Sequence, residues 1–262
     1  MEIIGRLAEF IKDGKAVALC TIVESKGSTP RHEGSKMLVF PNGKTEGTIG
    51  GGEIENRIIA EALDALKVGK TRVVRYNMVD PEKGDPGICG GQVEVYVEPY
   101  LPAPRVIIIG SGHVGKAVAH VAKWLGYRVV VSDDRAELCT PEYIPDADQF
   151  LVTEMADIPQ KIEIDNLTYL ILTTRGMVVD VPGLAPLLDT PAAFIGVIGS
   201  KRRWLMTRKE LIVQGVPEEK LNRVHSPIGL ELNAETPEEI AISIMAELIM
   251  LRNDGTGKLM KL

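Results

Sequence analysis

Residues 105–115 read Arg-Val-Ile-Ile-Ile-Gly-Ser-Gly-His-Val-Gly, and they indicate the fold of the second half of the chain. The four consecutive apolar residues at 106–109 are typical of a strand that is buried on both faces of a parallel sheet. Three glycines follow at the spacing G-x-G-x-x-G, and residues 113–125 have the periodicity of a helix. The stretch therefore predicts the strand, turn and helix that open a Rossmann-like, doubly wound α/β sheet.

The glycine turn has the chemistry of a dinucleotide site. Glycine permits a tight turn, a close approach of the backbone to a pyrophosphate, and close packing of the helix on the strand. The N-terminus of the helix also presents free amide groups to an anion. A second apolar run, residues 127–131, leads to Asp133, about twenty residues after Gly110, where an acidic residue would bind an adenosine ribose. Binding of NAD(P) itself stays open, because a nucleotide-binding fold does not guarantee a nucleotide.

The composition is that of an ordinary globular protein. Of the 262 residues, 45% are hydrophobic and 25% are charged. The formal net charge of −6 argues against a nucleic-acid-binding or membrane-surface protein. We find no apolar run of about 18 residues and no signal peptide, so we expect a cytoplasmic protein without a membrane span.

The cysteines and histidines do not form a familiar ligand pattern. The three cysteines, Cys20, Cys89 and Cys139, are far apart, which indicates neither a disulfide framework nor a C-x-x-C site. The four histidines are also dispersed, and we expect no metal site built from protein side chains alone. Cys20 lies in an apolar run and is predicted to be a core residue. Cys89 has glycines on both sides, so its position is compatible with an exposed, reactive thiol and equally with a buried structural one.

The first half of the chain predicts a separate α+β domain. Its pattern comprises helices at 3–12 and 53–66, and strands at 16–23, 37–40, 45–49, 72–76 and 93–97. Prolines at positions 99, 102 and 104 mark a linker. We therefore expect an N-terminal α+β domain over residues 1–101 and a Rossmann-like domain over residues 102–262.

Two loops of the first half are candidates for anion binding. Residues 24–36 form a long polar loop, and such loops are usually mobile surface, although loops held by rigid strands also carry binding residues. Residues 50–52 are three glycines that lead from a strand into a helix, which predicts a second backbone site for an anion. A flexible connector is the alternative, but the entropy lost when three glycines are ordered favours a ligand.

Further candidates lie at the carboxyl ends of strands predicted at 169–172 and 194–198. In an open parallel sheet these ends share one edge, so Arg175 and residues 199–203 should lie beside the glycine turn. The basic residues at 201–203 oppose the macrodipole of the helix that follows, and a bound anion would reverse that penalty. A solvated charged turn is the alternative. Residues 236–239 read Thr-Pro-Glu-Glu and predict a capped helix that runs to about residue 251.

Several motifs stand in one order along nearly the whole chain. They are Gly-Ser-Thr-Pro-Arg (27–31), Gly-Ser-Lys-Met (34–37), Gly-Thr-Ile-Gly-Gly-Gly-Glu (47–53), Cys-Gly-Gly (89–91), Gly-Ser-Gly-His-Val-Gly (110–115), Asp-Asp-Arg (133–135), Ile-Gly-Ser-Lys (198–201), Pro-Ile-Gly-Leu (227–230) and Thr-Pro-Glu-Glu-Ile-Ala-Ile-Ser (236–243). In this order they resemble the XdhC/CoxI family, the accessory proteins of xanthine dehydrogenase and related molybdenum hydroxylases. The chain departs from the family pattern at Met177, where that pattern usually has a histidine.

The resemblance implies a cofactor-maturation chaperone rather than a turnover enzyme. Such a protein binds and protects molybdenum cofactor, promotes exchange of an oxo for a terminal sulfido ligand, and inserts the cofactor into apo-xanthine dehydrogenase or a related hydroxylase. A cysteine desulfurase as sulfur donor and a homodimer are also implied. The cofactor is an anionic pterin phosphate, often extended by a nucleotide, and could use both the first-half glycine site and the Rossmann edge.

From the resemblance and the loop positions we take Cys89 as the candidate catalytic residue, either a molybdenum ligand or a sulfur-handling thiol. The candidates for binding the cofactor are Ser28, Arg31, Gly50, Gly51, Gly52, Glu53, Gly90, Gly91, Gly110, Gly112, His113, Val114, Gly115, Asp133, Arg135, Arg175, Ser200 and Lys201.

Two other classes of function stay open. An NAD(P)-dependent oxidoreductase would use the second domain for the nucleotide and the first for a substrate. It lacks an obvious proton-transfer pair, since His113 lies in the glycine turn and His225 in a different loop. The other class is a scaffold that binds only other proteins, and such a protein would not need glycine turns that bind anions.

Overall fold

The computed structural model describes residues 2–78 and 90–261. The chain divides into two compact units, Met1–Pro102 and Ala103–Leu262, and the division falls in the proline-rich segment. Among the described residues, every helix is too short or too polar to cross a membrane.

The first unit is an antiparallel sheet with a helix on each face. Its described elements are α1 (Glu2–Lys12), β1 (Val17–Lys26), β2 (Lys36–Val39), β3 (Thr45–Gly47), α2 (Gly52–Val68), β4 (Arg72–Met78) and β5 (Gly91–Tyr100). The strand order is β3-β2-β1-β5-β4. Side chains alternate across β1, so Ala18 and Cys20 pack beneath α2, whereas Val17 and Leu19 pack with Leu7 of α1. This arrangement is the expected α+β fold.

The second unit is a parallel sheet with helices on both faces. Its described elements are β6 (Arg105–Ile109), α3 (His113–Trp124), β7 (Arg128–Asp133), β8 (Gln149–Val152), α4 (Ile158–Lys161), β9 (Thr168–Leu172), α5 (Met177–Leu188), β10 (Phe194–Val197), α6 (Lys201–Val213), α7 (Glu218–Leu221), β11 (Val224–His225) and α8 (Pro237–Arg252). The order β11-β10-β9-β6-β7-β8 places β6 at the point where the chain reverses its direction across the sheet. The Rossmann-like prediction is therefore confirmed.

The burial of β6 on both faces explains its unbroken apolar run. Val106 and Ile108 contribute to the core beneath α3 and α8. Ile107 and Ile109 contribute to the opposite core beneath α5 and α6. Because neither face meets water, every position of the strand after Arg105 is apolar.

The helix α5 and the short strand β11 were not predicted. Pro182 and Pro186 lie inside α5, and its apolar residues are not confined to one face, so neither helix propensity nor periodicity indicates it. The prediction for α8 is confirmed. The Thr236 hydroxyl accepts from the Glu239 amide at 3.2 Å, and the Glu239 carboxylate accepts from the Thr236 amide at 3.2 Å.

Candidate functional site

The glycine turn of the second unit joins the carboxyl end of β6 to α3. A Cβ at position 110 would lie 2.6 Å from the carbonyl oxygen of Thr173, and one at position 115 would lie 2.0 Å from the carbonyl oxygen of Gly110. At Gly112 a Cβ would meet no heavy atom within 4 Å. Two of the glycines therefore serve internal packing, whereas Gly112 lies on the open side of the turn.

Asp133 ends β7 as predicted, but its carboxylate faces the interior and its side chain is only 2% exposed. One carboxylate oxygen accepts from the amide of Ser111 at 2.6 Å and from the guanidinium of Arg135 at 2.9 Å. The other accepts from the amide and the guanidinium of Arg135, at 3.0 and 2.8 Å. Both oxygens of Asp133 thus already have partners in and beside the turn, and a ribose bound by Asp133 would have to share or displace them.

The next residue, Asp134, forms a bidentate ion pair with Arg175. The two guanidinium nitrogens lie 2.7 and 2.6 Å from the two carboxylate oxygens. The hydrogen bonds from Arg175 lower the pKa of the Asp134 carboxyl to about 2. Since β7 and β9 flank β6, this pair crosses over the carboxyl end of β6. It lies on a narrow cleft that is also lined by Gly110, Arg135 and Glu154.

The basic triplet at the start of α6 does not act as one group. Arg203 turns inward, where it donates to the fully buried carboxylate of Asp180 at 2.6 Å and to the hydroxyl of Thr174 at 2.7 Å. Ser200 caps the helix by accepting from the Arg203 amide at 3.2 Å. Lys201 remains exposed, as does the arginine that follows it. Arg203 thus already has an internal anion as its partner.

The other predicted residues of this edge lie at the start of α3. His113 is exposed, and Val114 is half-buried against the core beneath the helix. Sequence reasoning missed Asp134 and Asp180. The signal for Asp134 was present in the adjacent pair of aspartates, whereas Asp180 lies in the helix that was not predicted.

In the first unit, the structure brings three predicted segments together. The backbone of the 27–31 loop contacts the glycines that begin β5, since a Cβ on Gly91 would lie 2.3 Å from the carbonyl oxygen of Ser28. The same loop contacts Gly50, where a Cβ would lie 2.8 Å from the ring of Pro30. Ser28 and Arg31 are exposed on this loop. Segments far apart in sequence therefore form one local cluster.

The triple glycine is occupied by a carboxylate of its own chain. Glu55 accepts from the amide of Gly51 at 2.5 Å and from the hydroxyl of Thr48 at 2.8 Å, and that hydroxyl also accepts from the amide of Gly50 at 3.2 Å. The φ angles of Gly50, Gly51 and Gly52 are 140°, 74° and 64°, which only glycine adopts readily. The turn itself thus explains the three glycines, and a phosphate would have to displace Glu55.

Two of the remaining candidates are not part of this turn. Glu53 is exposed and pairs with Arg57 at 3.1 Å. Cys89 lies outside the described residues. The other two cysteines are buried: burial raises the pKa of the Cys20 thiol to about 12 and also raises the pKa of Cys139. Neither of these two thiols fits a reactive role.

Comparison with known proteins identifies both units. A family profile described as the XdhC Rossmann domain matches residues 106–248, and one described as the XdhC and CoxI family matches residues 10–77. The chain is 35% identical over 262 residues to the uncharacterised protein YqeB of Escherichia coli K12, which covers 99% of this chain and 48% of that protein. It is 29% identical over 158 residues to a probable xanthine dehydrogenase subunit from Bacillus subtilis 168, which covers 60% of this chain and 46% of that protein.

The chain thus spans about half the length of these two relatives. It is also 21% identical over 294 residues to the molybdenum cofactor insertion chaperone PaoD of E. coli K12, and the match covers 93% of this chain and 86% of that protein. A crystal structure described as a xanthine dehydrogenase from Bacillus halodurans has 24% identity and a TM-score of 0.53, with 96% of each chain covered. That likeness concerns the fold alone.

Proposed function

Because the chain belongs to the XdhC and CoxI family, we propose that it is an accessory protein that binds molybdenum cofactor and inserts it into xanthine dehydrogenase or a related molybdenum hydroxylase. One observation carries this proposal: the similarity to a relative named as a molybdenum cofactor insertion chaperone covers 93% of this chain. We take residues 1–101 and 102–262 as the two functional domains.

The cargo in this proposal is an anionic pterin phosphate, and the glycine turn of the second unit has the chemistry to hold part of it. The open side at Gly112 and the amide groups at the start of α3 suit a phosphate. In the first unit, the exposed Arg31 and Ser28 supply a cation and a hydroxyl beside Gly91. The proposed binding residues are Ser28, Arg31, Gly90, Gly91, Gly110, Gly112, His113, Val114, Gly115, Arg175, Ser200 and Lys201. Gly50 to Gly52 would shape the first-unit loop rather than bind the phosphate directly.

We also propose that the protein supports sulfuration of the cofactor. Cys89 is the candidate for ligating molybdenum or handling the sulfur, and a cysteine desulfurase is the proposed donor. This proposal draws support from the contrast with Cys20 and Cys139, whose raised pKa values make both thiols poor nucleophiles. A homodimer in the cytoplasm is the proposed form of the protein.

A test begins with full-length protein produced in cells that make molybdenum cofactor and purified without oxygen. We expect molybdenum and a pterin to co-purify in equal amounts, and the loaded protein to activate an apo-xanthine dehydrogenase in vitro. Cys89→Ser should lose activation while Cys20→Ser, if folded, retains it. If neither the pterin nor activation is found, the chaperone proposal is wrong.

The second candidate, an NAD(P)-dependent oxidoreductase, is favoured by the sheet order and the glycine turn. It requires a side chain that transfers a proton at the nucleotide edge. His225 lies at the end of β11, and its ring nitrogen is 2.9 Å from the Glu247 carboxylate. That carboxylate also accepts from the amide of Gly229 at 2.6 Å, so it is already engaged in a structural hydrogen bond. Both groups hold the turn after β11. Turnover of NAD(H) by the purified protein with a small-molecule substrate would support this candidate.

A further inference from the structure

The two adjacent aspartates at the end of β7 differ sharply in exposure. The side chain of Asp133 is 2% exposed and that of Asp134 is 26% exposed. The partner of Asp134 is Arg175, whose side chain is 48% exposed. A partly exposed pair contributes less to stability than a buried one, although bidentate geometry strengthens it. Asp134 and Arg175 can therefore exchange partners at a smaller cost than Asp133 can.

The position of this pair matches the path of a dinucleotide. The pair joins the ends of β7 and β9 across the carboxyl end of β6, where the glycine turn begins. In Rossmann-like sheets the pyrophosphate lies at this turn, and the ribose lies at the end of the next strand. A dinucleotide bound there would have to pass where the two side chains meet.

The charges around the cleft favour one class of ligand. Carboxylates come from Asp133, Asp134 and Glu154, and guanidinium groups come from Arg135 and Arg175. Arg135 is bound to the buried Asp133, whereas Arg175 is bound to the more exposed Asp134 and is the guanidinium that an incoming anion can more easily draw away. A phosphate near the end of β7 would be repelled by the carboxylates of Asp134 and Glu154. Ribose hydroxyls could instead donate hydrogen bonds to them.

We propose that Asp134, and not Asp133, recognises the ribose of a dinucleotide in the second unit, and that Arg175 leaves Asp134 to bind the pyrophosphate. The ligand class is a nucleotide with a pyrophosphate and free 2′- and 3′-hydroxyls on the ribose. This inference rests on one part of the proposed function, that the protein binds a cofactor that carries a nucleotide.

The exchange keeps both side chains paired. The carboxylate of Asp134 accepts from two hydroxyls, and the guanidinium of Arg175 donates two parallel hydrogen bonds to phosphate oxygens. Pyrophosphate alone would leave the carboxylate unpaired, and a nucleoside alone would leave the guanidinium unpaired. A 2′-phosphate would lie against the ionised carboxylate and be repelled.

The test uses isothermal titration calorimetry of the full chain at pH 7 with NAD⁺, NADP⁺, ADP, UDP, adenosine and pyrophosphate. We expect NAD⁺ and at least one of the two nucleoside diphosphates to bind. NADP⁺, adenosine and pyrophosphate should bind at least tenfold more weakly than NAD⁺. Asp134→Asn should weaken NAD⁺ at least tenfold and remove the discrimination against NADP⁺.

Two further variants separate recognition from folding. Arg175→Gln should weaken the binding of ADP and NAD⁺ but should not weaken that of adenosine, because Asp134 then gives up no ion pair when it accepts the ribose hydroxyls. Asp189→Asn, which removes an exposed ion pair with Lys220 elsewhere on the unit, should change no affinity. Thermal unfolding of each variant verifies that it is folded.

The inference is overturned if NADP⁺ binds as tightly as NAD⁺, if Asp134→Asn has no effect, or if none of the probes binds. Failure of the proposed function is a different result. Protein that carries molybdenum cofactor but binds no probe would contradict only this inference. Protein that binds the probes as expected but never carries the cofactor would contradict only the chaperone proposal.

Discussion

Asp134 shows how a single neighbouring cation lowers the pKa of a carboxyl group. Its folded-state pKa, about 2, lies below the ordinary value of an aspartate because Arg175 stabilises the carboxylate. The pair therefore contributes stability above the ordinary pKa, and that contribution is lost as the pH falls through about 4 towards 2.

Arg175→Gln should therefore raise the pKa of Asp134 towards about 3.9, the value of an unperturbed aspartate. Carboxyl carbon chemical shifts measured by NMR during an acid titration would report the change. Arg202→Gln, an exposed substitution at the start of α6, is the matched control and should leave the titration where it was. An unchanged midpoint in Arg175→Gln would mean that the ion pair does not persist in solution.

For individual residues, the sequence predicts the position in the fold better than it predicts the hydrogen-bond partners. Asp133 stands at the expected spacing, but the direction of its carboxylate depends on the amide of Ser111 and the guanidinium of Arg135. Gly51 likewise stands in an anion-binding pattern, yet the anion is Glu55 from the first turn of α2. Sequence spacing predicts where a residue lies in the fold, whereas the tertiary structure determines which groups its side chain contacts.

At the scale of elements, the three glycines of the turn before α3 make a contrast that can be measured. Gly115→Ala would place a methyl group 2.0 Å from the carbonyl oxygen of Gly110, so the helix must move away from β6. We expect a loss of about 1–3 kcal/mol in the free energy of unfolding. Gly112→Ala meets no atom and has a φ of −67°, so its loss should stay below about 1 kcal/mol.

Urea unfolding followed by tryptophan fluorescence suits this comparison, because both tryptophans, Trp124 and Trp204, lie in the second unit. Gly112→Ala should nevertheless weaken the proposed binding of a dinucleotide, since its methyl group would lie on the open side of the turn. Equal losses of stability in the two variants would contradict the packing described for Gly115.

Most elements follow from hydrophobic periodicity and turn residues, and the exceptions have physical causes. The strand β6 and the helix α8 were predicted because burial and capping leave local signals. The helix α5 was missed because Pro182 and Pro186 oppose a helix locally, while burial of Leu184 and Leu187 stabilises it through tertiary contacts. Two residues of β11 are too few for any pattern.

At the scale of the whole molecule, each unit has its own core. The buried residues of the first unit form two clusters around its sheet, and those of the second unit form two others. Damage to one core should therefore be felt first in the unit that contains it.

Asp180→Asn tests this division. It leaves the partly exposed Arg203 without its carboxylate partner, and loss of a hydrogen bond between charged groups costs about 1.5–3 kcal/mol. Hydrogen–deuterium exchange should show faster exchange in β9 and β10, with β1 and β5 still protected. Asp189 lies at the C-terminal end of the same helix and forms an exposed ion pair with Lys220. Asp189→Asn should therefore lower the free energy of unfolding by at most about 1 kcal/mol. Equal loss of protection in both units would contradict separate cores.

The inward aspartate at the end of β7 affects how fast a ligand can bind and leave. Asp133, at the end of β7, accepts a hydrogen bond from the turn after β6 and so holds that turn in one conformation before any ligand binds. Ligand binding then requires little rearrangement of the main chain, and the turn keeps its conformation after the ligand leaves. If the protein takes up a cofactor and passes it to another protein, as proposed, this rigidity would allow both binding and release to be fast.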